Sequence, residues 1–326
     1  MNSPTDEVED WRCSTWSRLE GLDPIGTVGS YAGYLLIEWP LPWPRDLSDI
    51  EELKPVCDAA RERNIRVQAI ASVKPGPGCH VIYYERPALV PGALQQGHDE
   101  RVVAQADLVE TALNMMASPA PIVSGPSKVR DVLICTNGSR DRCCGKLGAR
   151  LALDASDLVD RDAGVRVWRT SHTGGHRFAP TMVILPEATG WAYVEPQALA
   201  QIVNRREPAA RVSRHYRGTA WLDNGPAQTL DRTVLERLGW MLLGMPRWSA
   251  TDLPADQVDA AAPESETQMN TLLTVSMPSG EVHTWAGAVG RREVSLPNCG
   301  QPARGTMASF DEYRMISMRD LTRSSS

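Results

Sequence analysis

Ile134 to Gly148 reads ICTNGSRDRCCGKLG, and Ser171 to Thr181 reads SHTGGHRFAPT. The spacings are C-x8-C for Cys135 and Cys144 and H-x3-H for His172 and His176. Two thiols and two imidazoles in one short region are the soft and borderline donors that iron and zinc take. Cys135 ends an apolar run, DVLICT, which reads as a strand, and open α/β sheets place their sites at the carboxyl ends of strands. Asp141 to Leu158 reads as the helix that follows, with Cys144 in its first turn, where backbone N–H groups favour a thiolate. Ser139 or Asp141 could cap that helix, and Arg140 could screen ligand charge or bond the backbone. Gly174 and Gly175 discourage helix between the two histidines and let backbone approach a bound group.

Other uses of these residues fit less well. HTGGH has no glutamate and is not helical, so a zinc protease helix is excluded. C-x8-C is wider than the usual finger spacing, and C-x-x-C, the dithiol signature, is absent. Cys143 leaves a C-x7-C pairing open.

Outward from this stretch, the chain shows the same order of elements twice. The first pass has the run GYLLIEWPLPW as a buried strand ending at Pro40, a helix over Asp49 to Asn64 with Pro55 in its first turns, the strands IRVQAIASV and CHVIYYER with turn residues Pro75 to Gly78 between them, and a helix over Ala104 to Met116. The second pass, from Val129, has DVLICT, the helix after it, GVRVWRTS, a hairpin of TMVILPE and GWAYVEP, and a helix over Gln197 to Arg205. Strand, helix, strand, strand and closing helix is the order of a thioredoxin-like layer, so the fold class is α/β and the first half reads as a degenerate repeat of the second. Expected domains are 1–125, an N-terminal α/β domain; 126–207, a thioredoxin-like domain; and 208–326, a C-terminal extension with a helix at Thr233 to Gly244, an acidic linker over Ser249 to Gln268, and a small sheet with TLLTVSM and EVHTWAGAV before a turn at Pro297 to Gly300.

At 326 residues, 42% hydrophobic and 23% charged with a net charge of −6, the chain has an ordinary globular composition and lacks the basic surplus that phosphate backbones need, so no nucleic-acid partner is expected. Its apolar runs are too short to span a bilayer and its N-terminus has no secretory pattern, which sets the expectation of a cytoplasmic protein with no membrane partner. Seven cysteines, unevenly spaced, suit a reducing compartment. Cys13, Cys57, Cys79 and Cys299 read as packing or isolated thiols, Trp39, Trp43, Trp191 and Trp285 as packing groups, and His80, His98, His215 and His283 carry no assignment. Gly26-Thr27-Val28-Gly29 reads as a turn, because it precedes a strand rather than joining strand to helix.

C-x8-C followed by H-x-G-G-H resembles the thioredoxin-like ferredoxin domain of the sucrase/ferredoxin-like family, and looser similarity runs from about Cys13 to Cys299. The resemblance implies a 2Fe-2S cluster, with Cys135 and Cys144 on one iron and His172 and His176 on the other, reducible one; the family pattern puts the second cysteine directly before a glycine, which is Cys144. It implies an electron carrier, able to take up a proton with its electron, rather than an enzyme with its own substrate. With no flavin or nicotinamide fingerprint, the partner expected is a separate redox protein, a reductase or an electron acceptor. A zinc-binding module with the same four ligands and a thiol-disulfide oxidoreductase using Cys143 or Cys144 are the competing readings. A cis bond before Pro180 is expected from the thioredoxin-like order.

Overall fold

A computed structural model describes residues 12–72, 77–90, 93–124, 129–159, 164–251, 258, 262–297 and 307–322. Helix α1 (Cys13–Leu19) precedes β1 (Gly33–Glu38), α2 (Lys54–Glu62), β2 (Ile65–Ser72), β3 (Cys79–Glu85), β4 (Ala88–Val90), β5 (Ala93–Val103), α3 (Leu108–Ala117) and β6 (Ile122–Ser124). The second run is β7 (Arg130–Cys135), α4 (Ala149–Leu158), β8 (Val165–Thr170), β9 (Met182–Leu185), β10 (Thr189–Trp191) and α5 (Pro196–Asn204). Then come β11 (Tyr216–Thr219), α6 (Gly225–Leu238), β12 (Arg247–Thr251), β13 (Thr267–Ser276), β14 (Val282–Pro297) and β15 (Met307–Asp320).

One large sheet has the order β11-β10-β9-β7-β8-β2-β1-β3-β5-β4, with β6 also on β5. In each half the first strand lies between a parallel second strand and an antiparallel third: β2 and β3 flank β1, and β8 and β9 flank β7. The halves meet where β2 and β8 pair antiparallel, Ile70 opposite Thr170 and Ser72 opposite Trp168. The repeated element order is therefore a repeated topology, and the two copies share one α/β sheet.

Strands buried on both faces explain the near-continuous apolar runs of the sequence. On β1, Leu35 and Ile37 pack with Leu53, Val56, Leu108 and Met115 from the helical side, while Tyr34 and Leu36 point the other way, into a cluster with Ile82, Leu133, Trp168, Val183 and Leu185. That second cluster is shared by both halves. Across it, Tyr84 on β3 donates to Asp131 on β7 (2.5 Å), Arg166 on β8 to Glu100 on β5 (2.5 Å), and Gln96 on β5 to the carbonyl of Pro186 beyond β9 (2.7 Å). In none of these three bonds are the two strands neighbours in the sheet, so the sheet curls around its shared interior. Asp131, fully buried, also accepts from Arg166 Nε (2.7 Å) and Nη2 (2.8 Å) and from Trp168 Nε1 (2.7 Å). A buried carboxylate is tolerable only with such complete partnering.

Beyond α5, β11 pairs with β10 at the edge of the large sheet, and β12 to β15 form a four-stranded antiparallel sheet. Leu230, Val234 and Leu235 of α6 and Leu273, Val275 and Trp285 of that sheet join one core with Leu151 of α4 and Leu199 and Ile202 of α5.

Several elements differ from expectation. The helix expected at Asp49 to Asn64 is regular only over α2, after two 3-10 turns, with Pro55 in its first turn as expected. The helix expected at Thr233 starts earlier, because Asn224 caps it through Ala227 N–H (2.9 Å) and Pro226 suits its first turn, and it gives way to a 3-10 turn at Gly239–Gly244. Strands β5 and β15 had no expectation; their sequences, ALQQGHDERVV and MASFDEYRMISMRD, are too charged to read as buried strands, yet β5 is held by β3, β4 and β6 and β15 lies along β14. The turn at Pro75 to Gly78, the linker over Ser249 to Gln268 and the turn at Pro297 to Gly300 lie in part outside the described residues.

Candidate metal centre

Cys135 closes β7 and is fixed from both sides, its own N–H donating to Thr181 O (3.0 Å) and the next N–H to Thr170 O (3.0 Å). The loop then returns through Asn137, whose Oδ1 accepts the N–H of Arg140 (3.2 Å) and whose Nδ2 donates to Pro44 O of the first half (3.0 Å). Asp141 is the cap, accepting the N–H of Cys143 (2.8 Å). The helix expected to run evenly from Asp141 instead opens with a π turn at Cys144–Gly148 before α4. Two glycines permit it: a Cβ on Gly148 would lie 1.8 Å from Cys135 O, and one on Gly145 would lie 2.6 Å from Gly138 Cα. The turn thus packs against the end of β7 and brings Cys144 to Cys135. Arg140, which could screen ligand charge or bond the backbone, has its side chain paired with Asp46 (2.9 Å).

The second arm leaves β8 at Thr170. The carbonyl of His172 accepts from Arg66 Nη2 (2.5 Å) and Gln68 Nε2 (3.2 Å), both on β2. Gly174 and Gly175 are left-handed (φ 85° and 69°), and a Cβ on Gly175 would strike the Arg217 guanidinium at 2.4 Å. Arg217, 2% exposed, donates to Gly174 O (3.2 Å), Thr27 Oγ1 (3.0 Å) and Thr27 O (2.7 Å). Burial pulls its pKa down to about 10, and it stays a cation at neutral pH. The Ala179–Pro180 bond is cis, as expected, and Thr181 Oγ1 lies 3.0 Å from Thr173 Oγ1.

The ligand atoms of Cys135, Cys144 and His172 lie within 4.8 Å of one another, and those of Cys13, Asp141 and His176 form a second such group beside them. The imidazoles of His172 and His176 are 6.2 Å apart between centroids. Nδ1 of His176 is 2.8 Å from Asp141 Oδ2 and 3.4 Å from Cys13 Sγ. A carboxylate on one ring nitrogen fixes the tautomer and leaves the other nitrogen to ligate, the usual arrangement of a metal-bound histidine. Cys143 belongs with Cys13, their sulfurs 3.9 Å apart.

Electrostatics favour a bound cation. Cys135 lies well below the ordinary thiol range because Cys144 hydrogen-bonds to its sulfur, with His172 and the Thr173 backbone adding to the effect against the cost of burial. The same bond and burial push Cys144 up. Of the pair, Cys135 is the readier to give up its proton and Cys144 the donor to it. Nδ1 of His172 is buried without a hydrogen-bond partner, at a cost of about 1–3 kcal/mol that a metal would relieve. The donor set and the bare imidazole nitrogen both fit a soft or borderline metal group.

Cys13, Asp141 and Arg217 are the residues that sequence reasoning did not place at the site. Cys13, read as a packing or isolated thiol, is buried against Cys143 and His176. Asp141 was expected only as a cap. The remaining histidines lie elsewhere: His80 pairs with Glu100 (3.0 Å), His98 stacks on Tyr84, His215 bonds Ala192 O (3.0 Å) and His283 sits near Glu281 (3.8 Å). Trp43, Trp191 and Trp285 are buried, and Trp39 is half-buried. Among the described residues no helix is long and apolar enough to cross a membrane.

No curated protein matches the chain. Among solved structures, a thioredoxin-like [2Fe-2S] ferredoxin from Aquifex aeolicus is similar at 17% identity and a TM-score of 0.23, over 26% of this chain and 90% of its own. Residues 24–218, from before β1 into β11, match the family model described as sucrase/ferredoxin-like. That match spans more than half of the sequence, and the chain belongs to the sucrase/ferredoxin-like family.

Proposed function

We propose that this protein is an electron carrier holding a 2Fe-2S cluster on Cys135, Cys144, His172 and His176. The observation that carries the reading is the convergence of two buried sulfurs and a ring nitrogen of His172 within 4.8 Å, with His176 set beside them by Asp141. Such a cluster supplies one-electron transfer, at a potential raised by neutral imidazoles in place of thiolates. The chain's own residues set its surroundings. The cysteines are fully buried while both histidines are partly exposed, so the histidine side faces the partner, a separate reductase or acceptor. The buried Arg217 cation offsets the negative charge of the thiolates and holds the loop that carries both histidines. Ring N–H groups of the histidines offer a proton site at that outer edge, which supports coupled proton and electron uptake.

A second reading has a specific observation in its favour: Cys135, Cys144 and His172 alone form a compact triad, the ligand number of an open zinc site. Anaerobic purification followed by metal and sulfide analysis separates the two. About two iron and two acid-labile sulfides per chain with visible absorption is the expected result; stoichiometric zinc in a colourless protein would overturn it.

A further inference from the structure

On the outer side of His172 lies a cavity of about 320 Å³, walled by both halves of the sheet. The first half contributes Arg45, Arg61 and Arg66, and the second contributes Arg140 and His172 itself. Against four guanidinium groups the lining has one carboxylate, Asp46, and that is bound to Arg140. Arg61 is paired outside the cavity with Asp58 (2.9 Å). Among the described residues Arg45, exposed, has no ion pair, and the Arg66 side chain bonds only the carbonyl of His172 and lies over the ring of Tyr31 at 5.7 Å. A strongly positive concavity stands out on a chain whose net charge is −6.

Guanidinium forks match the oxygens of carboxylates and phosphates two at a time, and a concave wall of them concentrates anions. We propose that this cavity binds a small oxyanion, a carboxylate or a phosphate, against Arg45 and Arg66 beside His172. The size suits a small solute rather than a folded surface, being at the lower end of ligand pockets at roughly 300–1,000 Å³. Asn64, Ser48 and Asn137 supply neutral polar groups around the charges. Arg66 needs only one of its five donors for the carbonyl of His172, which leaves the rest of the fork for the ligand. One guanidinium would then touch both the anion and the loop of a proposed cluster ligand. That link to electron transfer rests on the cluster reading; the anion site does not.

Calorimetric titration of the whole protein with inorganic pyrophosphate and, separately, with citrate tests the site and tells phosphate from carboxylate. Saturable binding of at least one probe, one per chain, is expected. Arg66→Gln should weaken it about ten-fold or more, the worth of a lost charge-assisted bond. Because Arg66 also holds the His172 carbonyl, Arg45→Gln is the second variant; it disturbs no bonded contact among the described residues and should weaken binding at least about three-fold. Arg150→Gln, an exposed change on α4, should leave binding unaltered. No saturable binding, or equal binding by wild type and Arg45→Gln, would overturn the site. The visible spectrum recorded on the same samples keeps the two readings apart: a colourless protein that binds anion upholds the cavity and sinks the cluster, and a coloured one that binds none does the reverse.

Discussion

The two halves of the large sheet follow the same path and differ in what stands at the ends of their first strands. β7 ends in Cys135, with Cys144 and His172 gathered onto it. β1 ends in Glu38, whose carboxylate accepts the backbone N–H of His80 (3.1 Å), and the chain then continues into Trp39 and Pro40. In the second half a glycine-rich π turn packs down on the strand end; in the first, Pro55 opens α2 after two 3-10 turns. The topology provides the location in both copies, and only one carries the donors, so the site is a property of side chains placed on a fold that is indifferent to them. The first half has not lost a part in the site. It supplies Arg66 and Gln68 to the His172 carbonyl and Pro44 to the Asn137 amide.

The largest expected effect tests this division directly. Cys135→Ser and Cys144→Ser should each abolish stable cluster binding, seen as loss of visible absorption and iron. Cys143→Ser, next in sequence but set against Cys13, should retain both, as should Cys57→Ser and Cys79→Ser in the first half. Bleaching by Cys143→Ser with a coloured Cys144→Ser would reverse the ligand assignment, and bleaching by either first-half variant would end the asymmetry.

A second test concerns the contact between the halves. Asp131→Asn takes from Arg166 its buried partner and leaves Glu100 as its remaining carboxylate, so the cost should be about 1.5–3 kcal/mol, the worth of hydrogen bonds to a charged group. The denaturation midpoint should drop accordingly, with both halves unfolding together; a change under about 1 kcal/mol, the usual value of an exposed pair, would show that the network does not join them. Smaller again is Gly148→Ala. The added carbon would meet the carbonyl of Cys135 at 1.8 Å, and such overpacking costs typically about 1–3 kcal/mol. Metal content should fall with stability, whereas Gly244→Ala, in open space, should leave the metal in place.

The smallest effect is a pH dependence that draws on both halves. Burial lowers the pKa of His98 in the first and of His215 beyond the second from the ordinary 6.5, so the fold favours their neutral forms. Unfolded chain therefore binds the extra protons. Their contribution is complete above the unfolded value near 6.5 and is lost as pH falls through the lower folded values. Melting temperatures followed downward from neutral pH should decline, and the decline should be shallower in the His98→Gln, His215→Gln double variant. An unchanged slope would mean that neither buried imidazole is held neutral by the fold.

Much of this was legible in the sequence because it is local. The apolar run expected to end at Pro40, which forms a strand as far as Glu38, the run that carries Cys135, the C-x8-C and H-x3-H spacings and the repeated element order all lie within short windows, and each corresponds to a feature of the structure. What was not legible depends on distant pairing. Nothing near Arg217 shows that it buries its charge under Gly174 and Gly175, and nothing near Cys13 shows that α1 lays it against Cys143 and His176. β5 and β15 escaped because their charged side chains hide the strand pattern, and the curl of the sheet escaped because Tyr84, Asp131, Arg166 and Glu100 meet across strands that are not neighbours. One signal was present and unused: Asn224-Gly225-Pro226 marks the start of α6.

The account's central claim is that two imidazoles and two thiolates hold the cluster. Pulsed electron paramagnetic resonance of the chemically reduced protein, with histidine nitrogens labelled, tests it most directly. Strong couplings from two directly bound imidazole nitrogens, with one lost in His172→Cys and the other in His176→Cys, are the expected result. A reduced protein with no paramagnetic signal, or a signal coupled to one histidine or to none, would contradict it.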